Sequence, residues 1–474
     1  MLLSYKKNEW IGNIKHDIFG GLVTSVALIP EVIGFAIVSG VNPITALFAS
    51  VIMLVVTSLT GGRPAMVSAA AGSMALVMVT LIKTHGIDYM IAATVLTGII
   101  QVVLGYLKIN QLMRFVSPPV MAGFINALAL LIFMAQIQQL HQVTIVTYLM
   151  VIAAIAGMYI LPHITQAIPA ALIIIVTLTV GTTVFGWNVQ TVGALGDMAG
   201  SVSGIHLPNV PFTIDTLRII LPTSLTLALV GLVESLLTLP IVDEMTDSVG
   251  DSQREVKAQG LANIMTGFFG GPAGCAMIGQ AVINVKSGGR ERLSTVTAGG
   301  VLFLLIVFFK DIMLQIPTPA LIGIMITVAI TTFDFNSLKR VKEAPMIESF
   351  TMFLTIAIVL YTHNLALGII VGVLVSMIAL VTKISQVQLK VSGPKIVIKG
   401  QLFFASVASF NEEMDTISLD NIDIIDCRQL HIIDNSGADA LLTWLNENNQ
   451  ALDKIQHVQT KYSPLLNKLA EKNE

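Results

Sequence analysis

Residues 61–72 read GGRPAMVSAAAG, and residues 270–278 read GGPAGCAMI. Each stretch opens on a Gly-Gly pair, carries a proline within the next two residues and runs through small residues into an apolar segment. Glycine and proline interrupt helices, and irregular backbone is tolerated at membrane depth only where protein or water covers it. Each stretch therefore predicts a half-helix that starts inside the hydrophobic layer and presents unpaired backbone N–H groups there. The N-terminus of a helix carries roughly half a positive charge, so two such starts facing each other favour an anion. Small residues also allow close packing in any helix bundle. The corresponding positions of the two stretches in the two halves of the chain favour a binding site over packing alone.

The composition around these stretches is that of a membrane protein. Of 474 residues, 54% are hydrophobic and 12% charged, outside the usage of ordinary soluble domains. Spanning the hydrocarbon takes roughly 20 apolar residues, and fourteen segments are candidates, several of them short or broken, the first at about 18–38 and the last at about 364–382. Lys6, Lys7 and Lys15 precede the first run without a small-residue cleavage signature after it, so this run is expected to stay as a span. With the N-terminus cytoplasmic, Lys108, Arg114, Arg254, Lys257, Lys286, Arg290, Arg292, Lys339, Arg340 and Lys342 all fall in cytoplasmic loops. Lys83 and Lys310 are the main exceptions. The chain thus reads as a multi-pass protein of the cell's inner (plasma) membrane, with both termini in the cytoplasm.

The segments divide near the loop after Gly186 into two sets of seven, about 17–185 and 216–385, which by parity have opposite orientations. The fold class expected is an α-helical polytopic membrane protein with a 7+7 inverted repeat over residues 1–389, followed by a small cytoplasmic α/β domain over 390–474. A formal net charge of −3, with no basic cluster interleaved with aromatics, argues against a nucleic-acid partner. The two cysteines, Cys275 and Cys427, lie in different domains with no metal-type spacing, and the histidines are scattered, so neither a disulfide framework nor a metal site is expected. No nucleotide loop or nucleophile constellation speaks for an enzyme.

Further stretches carry a resemblance. Ile29 to Ala36 (IPEVIGFA), Gly231 to Thr238 (GLVESLLT) with Asp243, Met245 and Thr246, Gln259 to Asn263 (QGLAN) and Asn284 to Arg290 (NVKSGGR) resemble the sulfate permease (SulP) family of anion transporters. The resemblance implies a mobile core and a gate domain, usually in a dimer, with the substrate between the half-helices of segments 3 and 10, flanked by segments 1 and 8. Carried onto this chain, the implied substrate site comprises Glu31, Phe35, Ser68, Ala69, Ala70, Ala71, Gly72, Cys275, Ala276, Met277 and Ile278, with Glu234 and Thr238 for a coupling ion. Many relatives have a basic residue where this chain has Gln280. Sodium-coupled bicarbonate relatives have a hydroxyl where this chain has Ile278.

Apart from any family, Glu31 and Glu234 sit between apolar neighbours, and a charge at the bilayer centre costs at least about 2.5 kcal/mol on insertion scales. A buried Glu can bind a cotransported proton, or remain ionised beside a sodium ion to which Thr238, one turn after Glu234, adds an oxygen. It can also simply brace two helices. Arg63 reads equally as an anion attractor or a snorkelling loop residue, and Asn126 and Gln136 read as interhelical hydrogen-bond formers.

From Lys390 the pattern changes to short alternating runs, Lys395 to Gly400 and Ile422 to Cys427, then a helix-like stretch from Gly437 to Asn449. This part resembles a STAS domain, with Asp434-Asn435-Ser436-Gly437 at the strand-to-helix turn. In sigma-regulating relatives the matching serine is phosphorylated, and phosphate suits a helix N-terminus. A helix cap or first-turn residue is the plainer role for Ser436. The functions in contention are secondary transport of a small oxyanion (sulfate or bicarbonate) by proton or sodium symport or by exchange, a passive chloride channel, and a carrier of small dicarboxylates. The partners expected are the anion, the bilayer, a second copy of the chain and a regulatory partner at the C-terminal domain.

Overall fold

A computed structural model of the chain describes residues 9–165, 168–195, 207–416 and 422–459, with 464, 465 and 467. Lys6, Lys7 and the side chain of Arg114 lie outside the described residues. The contacts divide the chain into two compact units, Met1–Gly372 and Val373–Glu474. This division falls inside a helix, Leu365–Ile384, and not at the boundary of 389/390 expected from composition. All of that helix's buried residues, Leu365, Ala366, Gly368, Ile369 and Gly372, precede the break.

The first half of the chain forms α1 (Ile14–Ser39), α2 (Pro43–Thr60), β1 (Ser68–Ala69), α3 (Gly72–His85), α4 (Ile87–Tyr106), α5 (Pro118–Gln139), α6 (Ile145–Ile164) and α7 (Ala170–Phe185). The second half forms α8 (Ile214–Thr246), α9 (Ser252–Phe268), β2 (Cys275–Ala276), α10 (Ile278–Lys286), α11 (Arg292–Leu314), α12 (Thr318–Thr332), the short α13 (Phe335–Arg340), α14 (Met346–Thr362) and α15 (Leu365–Ile384). Each of the fourteen expected segments corresponds to one helix of this series, with α13 an extra turn between segments. Among the described residues nine helical stretches, α12 and α13 taken together as one of them, are long and apolar enough to cross a membrane.

Local signals set the boundaries. Asn42 accepts the N–H groups of Ile44 and Thr45 to start α2, with Pro43 at its first position. Asp251 caps α9 through the Arg254 N–H. Gly40, at φ 77°, ends α1 in the left-handed conformation that glycine adopts without strain.

Exchanging the two halves maps the packing onto itself. The pair α4 with α9 has its counterpart in α11 with α2, α3 with α8 in α10 with α1, and α5 with α14 in α12 with α6. The β1–β2 pair joins the halves, in antiparallel register Ser68 with Ala276 and Ala69 with Cys275. Helices α4 and α9 meet at Gly98 and Gly260, where a Cβ on either would come within 2.7 Å of the other's carbonyl oxygen. Small residues let the backbones approach this closely, which drives helix association in lipid.

The second unit continues into a four-stranded sheet, β3 (Gln388–Ser392), β4 (Lys395–Leu402), β5 (Ile424–Ile432) and β6 (Ile455–Gln456), in that order. Strands β3 and β4 are antiparallel, whereas β4–β5 and β5–β6 are parallel. Helices α16 (Val407–Asp415), α17 (Asn435–Glu447) and α18 (Asn449–Lys454) complete it. Ile396, Ile398, Leu402 and Cys427 from the strands pack with Phe410, Leu441 and Leu445 from α16 and α17 in one buried cluster. Asp426 is also buried, but it is bridged by Lys395 at 2.9 Å and Arg428 at 2.5 Å. These cations hold its carboxyl well below the usual carboxylate range.

Candidate anion-binding site

Helices α3 and α10 both begin inside the bundle, directly after the paired strands. Their caps, Ala71 and Met277, have extended backbone and make no side-chain capping bond. The first intrahelical bonds run from the Ala75 N–H to the Ala71 carbonyl and from the Ala281 N–H to the Met277 carbonyl. The N–H groups of Gly72, Ser73 and Met74, and of Ile278, Gly279 and Gln280, come before any such bond and are the orphan donors of a helix start.

The amides of the strands, by contrast, are matched by side chains. The Ala70 N–H donates to the Ser50 hydroxyl at 3.1 Å and the Ala276 N–H to the Ser235 hydroxyl at 3.1 Å. Asn263 takes the Gly274 N–H at 2.8 Å and returns a hydrogen bond to the Gly274 carbonyl at 3.0 Å. Its neighbours one and two turns earlier on α9 continue the bracing. The Gln259 amide donates to the Ser68 hydroxyl at 2.7 Å, and the Glu255 carboxylate accepts the N–H groups of Gly62 at 2.7 Å and Arg63 at 3.2 Å. One face of α9 thus fixes the chain on the approach to both half-helices.

The two helix starts open on one cavity of about 120 Å³. Glu31 and Phe35 of α1, Gly72 and Ser73 of α3, Glu234 of α8, and Met277, Ile278 and Gly279 of α10 line one side. Phe124 and Leu128 of α5 and Val328 and Thr332 of α12 line the other. Glu31 and Phe35 are one turn apart and share a helix face. The Phe35 ring lies on the start of α3, where a Cβ at Gly72 would be 2.4 Å from the ring.

Glu234 receives two donors. The Ser73 hydroxyl and the Cys275 thiol, the latter at 3.2 Å, both donate to its Oε2. The carboxylate therefore ties α8 to α3 and to β2. Gln280, buried on the first turn of α10, places its amide as a hydrogen-bonding neighbour of the Glu31 carboxylate. The chain thus has a neutral amide and two carboxyls here, which leaves the helix starts as the cavity's sources of positive potential.

Among the residues expected from sequence, Glu31, Phe35, Gly72, Glu234, Met277 and Ile278 line the cavity. Ser68, Ala69, Ala70 and Ala71, with Cys275 and Ala276, form and follow the crossing strands behind it, and the Ser68 hydroxyl is turned to Gln259. Thr238 is buried on α8, and its hydroxyl donates to the backbone carbonyl of Glu234 at 2.8 Å, not toward the carboxylate. That i to i−4 bond is the common way for a helical threonine to satisfy its hydroxyl. Arg63 does not snorkel. It is buried, ion-paired to Asp243 at 2.7 Å, and donates to the Val242 carbonyl and to the Thr246 and Ser248 hydroxyls. Asn126 links α5 to α13 through Ser337 at 2.8 Å and the Asp334 N–H at 2.7 Å. Gln136 accepts only from Gln139 of its own helix among the described residues. Ser73, Gly279 and the wall from α5 and α12 were not predicted. Ser73 was within reach, as the first hydroxyl after the Gly72 helix start.

Crossed half-helices, an inverted repeat and a cavity between two helix groups define a membrane transporter of small anions. Residues 14–158 and 137–355 match the sulfate permease family model, and the chain belongs to the sulfate permease family. It is 47% identical over 446 residues, 92% of each chain, to YbaR of Bacillus subtilis (strain 168), whose name assigns it to sulfate transport. Its fold matches the transmembrane domain of a cyanobacterial bicarbonate transporter, BicA, with a TM-score of 0.66 at 23% identity, over 79% of this chain and 98% of that one. It also matches murine Solute Carrier 26 family member A9, an anion transporter in its inward-facing state, with a TM-score of 0.79 at 15% identity, over 98% and 88% of the two chains. The family and these relatives are transporters, not enzymes.

Proposed function

We propose that the chain is a secondary active transporter that carries a small inorganic oxyanion, sulfate or bicarbonate, across the plasma membrane by proton or sodium symport or by exchange. One observation carries the reading: two uncapped helix starts, from α3 and α10, share a cavity with Glu31 and Glu234. Backbone N–H groups recognise an oxyanion by charge and size, and a relative named for sulfate and another named for bicarbonate support both cargoes. The cavity's walls come from two helix groups, α1, α3, α8 and α10 against α5 and α12, which supports access alternating by movement of one group against the other.

Glu31 and Glu234 are the groups that bind the coupling ion in this reading. The oxygen and sulfur nearest to the Glu234 carboxylate belong to Ser73 and Cys275, so these replace Thr238 as its partners. Both chain ends are cytoplasmic, and the protein works as a homodimer. Residues 390–474 form a cytoplasmic STAS domain, a reading supported by the mixed sheet and by the exposed Ser436 in the first turn of α17. Asp434 caps that turn through the Gly437 N–H at 2.9 Å, so Ser436 is open to phosphorylation and to a regulatory partner.

The test is uptake into proteoliposomes of labelled sulfate and bicarbonate, in competition with chloride and small dicarboxylates, with and without sodium and a pH gradient. Accumulation of an oxyanion against its gradient supports the proposal. Flux that only dissipates gradients identifies a passive channel, and no flux of any anion refutes transport.

A further inference from the structure

Lys83 is, with Lys310, one of the two main exceptions to the charge rule that places most cations of the short loops on one side of the membrane, and for Lys83 the structure offers a reason. It stands in the last turn of α3 and opens onto a second cavity, of about 620 Å³, far larger than the one between the half-helices. This vestibule is bordered by the C-terminal ends of α1, α3 and α5 and by the N-terminal ends of α6 and α12. With the chain ends cytoplasmic, it faces outward.

The two cavities follow one seam. Helix α3 gives Gly72 and Ser73 to the inner cavity, then Leu76, Thr80 and Lys83 to the vestibule. Helix α5 gives Leu128 to the first and Leu131 and Gln138 to the second. Eleven residues of helix separate Gly72 from Lys83, a rise of about 16 Å. The vestibule is thus the antechamber of the anion cavity, with polar groups such as Ser39, Thr80, Gln190 and His363 on its walls.

Its electrostatics are one-sided. Among the described residues that line the vestibule, Lys83 is the lysine or arginine, and none is an aspartate or glutamate. A lysine in the last turn of a helix is also well placed against the helix dipole, and a long side chain at a membrane surface reaches for water. Neither reason requires a cleft with no carboxylate among its described lining residues. A cleft with charge of one sign and low-dielectric walls concentrates counterions and raises the on-rate of a charged ligand at least about tenfold at low salt.

We infer that this vestibule is an outer anion-collecting site, in which Lys83 draws small inorganic anions toward the cavity between the half-helices. The inference rests on the proposed transport and adds a residue that governs capture from outside and not the transport step.

Two measurements test it. In full-length Thr80→Cys protein, thiol modification is timed with a sulfonate-bearing and a trimethylammonium-bearing methanethiosulfonate; Cys275 and Cys427 are buried. The ratio of anionic to cationic rates should fall about tenfold on adding Lys83→Gln and hold on adding Lys83→Arg. An unchanged ratio overturns the inference. In proteoliposomes, Lys83→Gln should raise the half-saturating external anion concentration about tenfold at low ionic strength, leave the maximal rate unchanged and converge with wild type in high salt. A fall in maximal rate with unchanged half-saturation overturns it too. If the wild type moves no anion while the reagent ratio still depends on Lys83, the transport reading fails and the vestibule stands.

Discussion

Asn263 holds Gly274 by both of its backbone groups, accepting the N–H at 2.8 Å and donating to the carbonyl at 3.0 Å. The same side-chain amide donates to Gln101 of α4 at 2.8 Å. A single side chain thus sets where the second half-helix begins, although it touches neither the cavity nor its contents.

Replacing Asn263 by alanine leaves a buried N–H and a buried carbonyl of Gly274 without partners. Each orphaned buried group costs about 1–3 kcal/mol, so Asn263→Ala is expected to lower stability by about 3 kcal/mol and to weaken anion binding. Thermal unfolding of the purified protein and the half-saturating anion concentration check this. A variant with wild-type stability and affinity would show that α9 does not position the site.

Gly72→Ala places a methyl group against the Phe35 ring, 2.4 Å from its edge before any shift. Because the clash is with a side chain, not with backbone, the fold should survive while the start of α3 loses its seat. Half-saturation in uptake is expected to rise at least about tenfold, since small misplacements of positioned groups cost on the order of 10²-fold. Phe35→Leu in the same chain should recover part of the loss.

Glu234→Gln keeps the shape of the side chain but replaces the acceptor of the Ser73 and Cys275 hydrogen bonds with an amide. Uptake driven by a sodium or pH gradient should be abolished, with the protein still folded as judged by size-exclusion profile. Unchanged sodium or pH dependence would remove Glu234 from the coupling scheme.

In the C-terminal unit, Lys395 and Arg428 keep the Asp426 carboxyl ionised below the usual range. A folded-state pKa below the unfolded value of about 3.9 gives stability that is complete above that value. It is lost as pH falls from there toward the folded-state pKa. The unfolding midpoint followed by Trp444 fluorescence, in a W10F/W187F background, should fall steeply with pH in that window. Asp426→Asn should flatten that dependence and lower the midpoint at neutral pH.

Much of this architecture could be read from the chain because its signals are breaks in an otherwise apolar pattern. The glycine and proline at residues 61–64 and 270–274 marked both half-helices, and Glu31 and Glu234 stood out because a carboxyl in lipid needs a reason. The wall from Phe124, Leu128, Val328 and Thr332 had no such mark. In a membrane bundle, lipid-facing and protein-facing positions are both apolar, so the periodicity that reveals a buried face in soluble helices is lost. Rotamer choice hid the rest. Thr238 shares a face with Glu234 by spacing, yet its hydroxyl turns to the helix backbone. The cap of α17 is Asp434, two residues before the serine on which attention falls.

The central claim is that the N-termini of α3 and α10 seat the anion between them. Its most direct test is anomalous diffraction from crystals of the full chain grown with selenate, after selenate uptake has been verified in proteoliposomes. The predicted result is a selenium peak in the cavity beside Glu31 and Glu234, within hydrogen-bond reach of the N–H groups of Gly72 or Ser73 and of Ile278 or Gly279. A peak away from both helix starts, or none there for an anion the protein demonstrably carries, would contradict it.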